Sequence, residues 1–411
     1  MSLPVELLDF IVRYSSAQTK ARLARTSRTL YGISVRALYA SIPHMGTRRT
    51  IQCLLILSQN ASLACLVRTF ELRMSHQPNF PDLITRALGN MPNLVELSLQ
   101  LGIFATSSVL ERVACHLTKF VCILVSDPAY PISRFLESQP RIKELYLVCR
   151  PDSIADLSPD ALPALQDVAA PLRLLGPLLS SRLDHITRIS ALGTIMAAPD
   201  IAELGTVIRD APTRSPPGVL IDVVLGMDLT SPMMAPEFVT AGLACLGLRA
   251  PSIGLLRLEV HKGSVQQNML DEITLALPHL PNLKTLVVMS QPPVSRAYIH
   301  QFDRNPASRA HPAIQRPQAS SFDVSRDSES PLSSGAATPS PTYRLVPPTS
   351  ASNTEPRSNW PVFAPDALHD RSRHKACLAA WHHAQPSLER VVFPIGVYTF
   401  GAKRKSAMHQ P

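Results

Sequence analysis

The chain has 411 residues, 45% hydrophobic and 17% charged, enough apolar material for one large or two modest cores, and no apolar run is long enough to cross a membrane as a helix. Its formal net charge of +9 is unevenly placed: residues 1–50 hold eight Lys and Arg against two acids, residues 291–411 hold fourteen against eight, and residues 51–290 hold 18 against 21. The positive charge belongs to the two ends, which excludes a basic face on the central region, so neither nucleic acid nor membrane is an expected partner.

Ser2 to Ile42 predicts three short helices. Pro4 is pre-set for an opening turn, and Glu6 suits the positive end of a helix. Leu7, Leu8, Ile11 and Val12 then recur as an apolar face. Leu23, Ala24, Ser27, Leu30 and Tyr31 follow for a second helix, and Val35, Leu38, Tyr39 and Ile42 for a third. Helices of this size bury little area alone and need support from a partner or from the rest of the chain. Glu6 and Asp9 stand where a secretory signal would carry basic and then purely apolar residues, so no signal peptide is expected.

These elements resemble the F-box, the short domain through which substrate receptors attach to cullin–RING ubiquitin ligases. The residues that carry the resemblance are Leu3-Pro4-x-Glu6-Leu7-Leu8-x-x-Ile11, then Leu23-Ala24-x-Thr26-Ser27-Arg28, then Leu38-Tyr39. It covers about a tenth of the chain. Two departures are a short join between the first two helices, Arg13–Thr19, and the lack of Trp in the closing helix. The resemblance implies that Leu3, Pro4, Leu7, Leu8 and Ile11 contact the ligase adaptor; the alternative is that they form the internal core of a helical cap. The arginines at 13, 22, 25, 28 and 36 fit either docking on an acidic partner or a solvated face.

Further along, the pattern L-x-x-L-x-L recurs behind a proline at Pro92–Leu99, Pro140–Leu147, Pro251–Leu258, Pro281–Val288 and Pro386–Phe393. Looser copies start at Val67, Leu117, Leu165, Ile186 and Leu220. First positions up to Leu283 lie 21 to 34 residues apart, the scale of a leucine-rich repeat solenoid. The last two apolar residues of each copy alternate, so both face one side of a short strand. Leu97, Leu99, Leu145, Leu147, Leu256, Leu258, Leu286 and Val288 are therefore expected to be buried on neighbouring parallel strands.

Parallel neighbours need a return crossover, and "FPDLITRAL", "SSVLERVACHL" and "ISRFLES" are the candidate helices. Leu83, Ile84, Ala87 and Leu88 share one helical face; Val109, Leu110, Val113 and Leu117 share another. The proline ends each helix before the next strand. An ordinary α/β domain with buried strands is the alternative. The order of the two regions and the long Arg- and Pro-rich form resemble the large F-box families of mushroom-forming fungi.

Residues 291–365 are dominated by Pro, Ser, Thr and Ala, with too few apolar side chains to offset the entropy of ordering, so a disordered insert is expected. Within it Ser330-Pro331, Thr338-Pro339 and Ser340-Pro341 are candidate proline-directed phosphorylation sites. Residues 366–400 read as a terminal repeat and 401–411 as a basic tail, where Lys403–Lys405 is a solvated cluster or a nuclear-import signal. His369, His374, Cys377, His382 and His383 are residue types that ligate zinc, but their spacing matches no known finger, and Leu378 and Trp381 explain the segment as a helix. No metal or other cofactor is expected. Seven scattered cysteines, none spaced as C-x-x-C, predict reduced thiols in cytoplasm or nucleus.

No Gly-rich phosphate loop, G-x-S-x-G, H-E-x-x-H or local Cys/His signature is present, so catalysis by this chain is not expected and a hydrolase-like α/β enzyme ranks last. The expected fold class is α/β: a three-helix F-box-like domain at 1–45, an irregular leucine-rich-repeat-like solenoid at 46–290, the disordered Pro/Ser-rich insert at 291–365, the terminal repeat and the tail. The resemblance implies a substrate-recognition subunit of a cullin–RING type E3 ubiquitin ligase, with the adaptor subunit and an unidentified target protein as partners. The alternative is a non-catalytic leucine-rich-repeat binding scaffold whose N-terminal helices only cap the solenoid. Light proteolysis, read by gel and mass spectrometry, should cut first within about residues 303–360 and leave a compact body; protease resistance there would mark an ordered domain instead.

Overall fold

The computed structural model describes residues 3–74, 80–211, 220–290 and 366–400, without the side chains of 102–105. The expected insert at 291–365 with its Ser-Pro and Thr-Pro sites, and the tail with Lys403–Lys405, lie outside the described residues.

Helices α1 (Val5–Tyr14), α2 (Ala17–Leu23) and α3 (Arg28–Tyr39) open the chain. The short join is built from two serines: Ser15 Oγ donates to the Ile11 carbonyl at 2.7 Å as α1 ends, and Ser16 Oγ accepts from the Thr19 amide at 3.1 Å to cap α2. Ser27 caps α3 in the same way, accepting from the Leu30 amide at 3.2 Å. This corrects the expected grouping, since Leu30 and Tyr31 belong to the third helix, α2 ends at Leu23, and Ile42, expected in the third helix, lies in the strand that follows it. A serine favours the cap because its side-chain oxygen satisfies an orphan amide there.

A twelve-stranded sheet comes next, its strands neighbouring one another in chain order. They are β1 (Ser41–Ile42), β2 (Thr69–Arg73), β3 (Glu96–Thr106), β4 (Lys119–Val125), β5 (Glu144–Val148) and β6 (Asp167–Pro171). Then come β7 (Arg188–Ile195), β8 (Ile221–Asp228), β9 (Ile253–Lys262), β10 (Thr285–Ser290), β11 (Arg390–Phe393) and β12 (Gly396–Thr399). Every pair is parallel except β11–β12, an antiparallel hairpin closed by Pro394 and Ile395. The sheet is open at both ends. The longer crossovers carry α4 (Thr47–Gln59), α5 (Ala61–Ala64), α6 (Pro81–Gly89), α7 (Ile132–Glu137), α8 (Leu172–Leu179), α9 (Ala198–Asp210), α10 (Pro236–Arg249), α11 (Gln267–Ala276) and α12 (Arg371–Ala384).

Register puts the repeating apolar residues into two rows. Phe70, Leu97, Phe120, Leu145, Val168, Ile189, Val223, Leu256, Leu286 and Val391 run side by side across the sheet, each at most 2% exposed. A second row, from Leu72 and Leu99 to Leu258 and Val288, lies two residues further along. All eight strand residues named from the sequence are buried on parallel strands.

Two sequence expectations need correction. "SSVLERVACHL" forms only a short 3₁₀ turn, Ser107–Leu110, and no helix continues from it before β4 begins at Lys119. Its Ser107 instead bridges to the next loop, donating to the Tyr130 carbonyl and accepting from the Asp127 amide at 2.8 Å. At the start of β8, Ile221 is buried, whereas Leu220, at which the sequence copy begins, is only half-buried. Ile221 pairs with Ile253 and Asp222 with Leu255, so β9 carries one extra residue, Gly254. A Cβ on Gly254 would sit 2.7 Å from the Leu220 Cβ, and only glycine leaves that room.

Long polar side chains stitch several helix-to-strand corners to the preceding repeat. Asn93 Nδ2 donates to the Cys65 carbonyl at 2.8 Å, Asn282 Nδ2 to that of Pro251 at 2.9 Å, and Gln385 Nε2 to that of Leu280 at 2.6 Å. Buried Gln139 works in both directions, donating to the Cys115 carbonyl at 3.0 Å and accepting from the Leu117 amide at 2.9 Å. Arg182, 4% exposed, donates to the carbonyls of Ala161, Leu178 and Ser158. The bonds of Gln385, Gln139 and Arg182 satisfy buried carbonyls that would otherwise cost about 1–3 kcal/mol each.

The last repeat docks directly on β10: Thr285 to Val287 pair with Arg390 to Val392, although the two strands are far apart in sequence. Trp381 of α12 is fully buried, with Nε1 donating to Thr274 Oγ1 at 2.9 Å. His374, 1% exposed, lies against the Phe393 and Tyr398 rings. Its Nε2 contacts the Leu368 carbonyl at 3.0 Å and must donate, so its Nδ1 accepts from the Tyr398 hydroxyl at 2.8 Å. Burial holds this imidazole below its ordinary 6.5; the Leu368 bond and Asp370 oppose the shift, and Arg371 and His369 add to it.

The unfolded chain therefore binds a proton that the folded chain rejects, and stability falls as pH drops from about 6.5 through the folded value. Urea unfolding followed from pH 7.5 to 5.5 should show this decline, and His374→Asn should flatten it.

Candidate interaction surfaces

Helix α1 presents two faces of opposite character. Val12 is fully buried, and Leu8 is half-buried beside it. Leu7, Phe10, Ile11 and Tyr14 are 51%, 61%, 50% and 79% exposed, and their spacing of i, i+3, i+4, i+7 makes one outward stripe. The Phe10 and Tyr14 rings lie 4.6 Å apart on it. Leu3 and Pro4 are exposed just before the helix, as is Val5 at its first turn. The apolar face expected from Leu7, Leu8, Ile11 and Val12 is thus divided, because those four positions span too wide an arc for all to meet α3.

Four of the five residues singled out for an adaptor, Leu3, Pro4, Leu7 and Ile11, are exposed, and Leu8 lies at the margin. Phe10 and Tyr14 complete the stripe and were missed, though their helical spacing from Leu7 was legible. On the flank of α1, Asp9 accepts from Arg13 Nε at 2.8 Å and from Arg36 of α3 at 2.9 Å. Arg22, Arg25 and Arg28 are exposed and form no ion pair with any described residue.

The second surface is the face of the sheet opposite the two apolar rows. All-parallel sheets are usually covered on both sides; here the alternate residues of β2 to β11 stay exposed or half-exposed until Gly226. At the amino-terminal ends of six adjacent strands, Glu96, Lys119, Glu144, Asp167, Arg188 and Asp222 stand in register. The next row is Ser98, Val121, Tyr146, Ala169, Ser190 and Val224, so a charged border runs beside a largely apolar band. Two depressions of about 320 and 410 Å³ lie on this face, the first reaching from Lys119 to Ser190 and the second from Thr69 to Tyr146.

Lys119 Nζ binds Glu144 at 2.6 Å, which together with nearby acids leaves the ammonium pKa raised against the opposing effect of burial. Burial raises the Asp222 carboxyl, Asp167 adds to the rise, and Arg188 between them in register opposes it. The charged position had a sequence signal that was overlooked. It is the residue directly before the first inward strand residue, charged in the copies from Glu96 to Asp222 as in "LVELSL" and "IKELYL", but Thr69, Leu255 and Thr285 in three others.

The histidines and cysteine of the last repeat do not converge: His374 and Cys377 are core residues, and among the described residues no group of three His, Cys, Asp or Glu is placed to hold a metal ion. Burial pushes the Cys115 thiol up to about 11 and those of Cys149 and Cys377 to about 12, so all three stay protonated at neutral pH. Among the described residues no helix is long and apolar enough to cross a membrane. Compared with known proteins, the chain matches no family model and no curated protein.

The two faces of α1 should respond differently to truncation. Val12→Ala should cost about 1.5 kcal/mol or somewhat more, from two buried carbons and the space they leave. Phe10→Ala should change stability by less than about 0.5 kcal/mol. Thermal melts of the two variants check the contrast.

Proposed function

We propose that this chain is the substrate-recognition subunit of a cullin–RING type E3 ubiquitin ligase, acting in cytoplasm or nucleus. Its three N-terminal helices dock on the ligase adaptor, the accessible face of the sheet receives a target protein, and the chain contributes proximity and no chemistry of its own. The observation that carries this reading is the outward stripe of Leu7, Phe10, Ile11 and Tyr14, continued by Leu3 and Pro4. A helix that served only as a cap would turn such side chains toward the sheet, since contiguous exposed apolar surface marks an interaction site.

The match to the F-box opening motif falls on this same stripe. Parallel strands that neighbour one another in chain order, several of them entered by a proline-marked corner, support the leucine-rich-repeat reading of the region after the N-terminal helices. The free Arg22, Arg25 and Arg28 suit an acidic partner surface.

The test is a pull-down and titration of the purified chain with the cullin–RING adaptor subunit. Leu7→Asp would bury an unpaired carboxylate at the interface, a cost of several kcal/mol against the 1.4 kcal/mol that makes a tenfold change in affinity. Binding should disappear while the melt stays unchanged, because Leu7 is exposed in the free chain. A wild-type chain that never binds the adaptor would leave the N-terminal helices as a cap and the protein as a plain binding scaffold.

A further inference from the structure

We infer that the accessible face of the sheet takes a basic amphipathic protein segment, one that carries Lys or Arg along one border of an aliphatic stripe. This rests on the reading of that face as the target surface and names the chemistry of the target.

The geometry supplies both halves of the match. The charged row from Glu96 to Asp222 holds four carboxylates and two cations over six adjacent strands, a span of about 24 Å at the usual strand spacing. Its order is acid, base, acid, acid, base, acid. Glu144 and Asp167 are direct neighbours in register, and like charges placed opposite each other on adjacent strands are destabilising. Lys119 is committed to Glu144. Glu96, Asp167 and Asp222 form no ion pair with any described residue; Asp167 accepts only a hydroxyl, from Thr187 Oγ1 at 3.2 Å.

An incoming ammonium or guanidinium group between β5 and β6 would relieve the repulsion and would find further carboxylates at either end of the row. Two residues along each strand, about 7 Å away, Val121, Tyr146, Ala169 and Val224 form the apolar band. Cations on the border of an aliphatic stripe reproduce that spacing from the partner's side. An acidic ligand such as nucleic acid would meet the same carboxylates as repulsion.

The experiment uses the full-length chain and three synthetic peptides of equal length: an amphipathic Leu/Lys peptide, its Leu/Glu counterpart, and a Ser/Lys peptide with the same charge. Fluorescence anisotropy should show binding of the Leu/Lys peptide alone, weakened by added salt. Binding should fall at least tenfold in the double variant Glu144→Gln, Asp167→Asn, and also in Tyr146→Ala. Both alter accessible side chains, and a melt of each variant confirms folding. Equal binding to wild type and double variant, binding of the Leu/Glu peptide, or no binding of the Leu/Lys peptide would overturn the inference.

Leu7→Asp keeps the two readings apart, since it should leave peptide binding unchanged. Lost peptide binding with intact adaptor binding removes this target chemistry and leaves the ligase reading standing. Intact peptide binding in a chain that never binds the adaptor removes the ligase reading alone.

Discussion

Register between neighbouring strands is the constraint on which everything else in this molecule rests. Because side chains alternate along a strand, a slip of one residue would send both apolar rows to the outer face and bring the charged border inward. The rows from Phe70 to Val391 resist that slip because each member contacts the same position in the strand before it and the strand after it. At the strand entrances a second device repeats. The carbonyls of Ala40, Arg68, Thr118, Lys143, Gln166 and Lys284 each accept from two successive amides of the next strand. Local backbone bonding and side-chain packing therefore specify the same alignment.

That constraint explains which parts of the molecule were legible. A period-2 pair of leucines behind a proline is a local signal, and the strands fell where it occurred, even in loose copies such as "LQDVAA" at β6. The helix at Pro81–Gly89 was equally plain, with Leu83, Ile84, Ala87 and Leu88 all buried. Non-local facts were not legible. Nothing in "SSVLERVACHL" shows that Ser107 will be drawn to the Asp127–Tyr130 loop and that only Ser107–Leu110 will turn. Nor does the Leu220 segment show that the neighbouring strand carries an extra glycine, since a bulge is a property of a pair. The stitches from Gln139 to Cys115 and from Arg182 to Ala161 were hidden for the same reason: these acceptors lie more than twenty residues away in sequence.

The two candidate surfaces arise from opposite physical situations. On α1, an apolar arc is wider than its contact with the neighbouring helices, and the excess faces outward. On the sheet, burial is complete on one side, which leaves the other side free to vary between strand entrances and exits. The first surface was half read from the motif and half missed, since Phe10 and Tyr14 lie outside it. The second was missed although its charged position recurs at a fixed place in six successive copies, because the leucines themselves carry the stronger pattern.

The final hairpin bears on assembly. A parallel ladder with a bare terminal strand would be a template on which another molecule could add its own strand, end upon end, without limit. Here β12 turns back through Pro394 and Ile395 and covers β11 with reversed polarity, while at the opposite end β1 offers only Ser41 and Ile42. An incoming strand of the repeating kind finds neither the right direction at one edge nor enough length at the other. Extension of the ladder in its own parallel sense is thus opposed by chain direction at one edge and by shortness at the other.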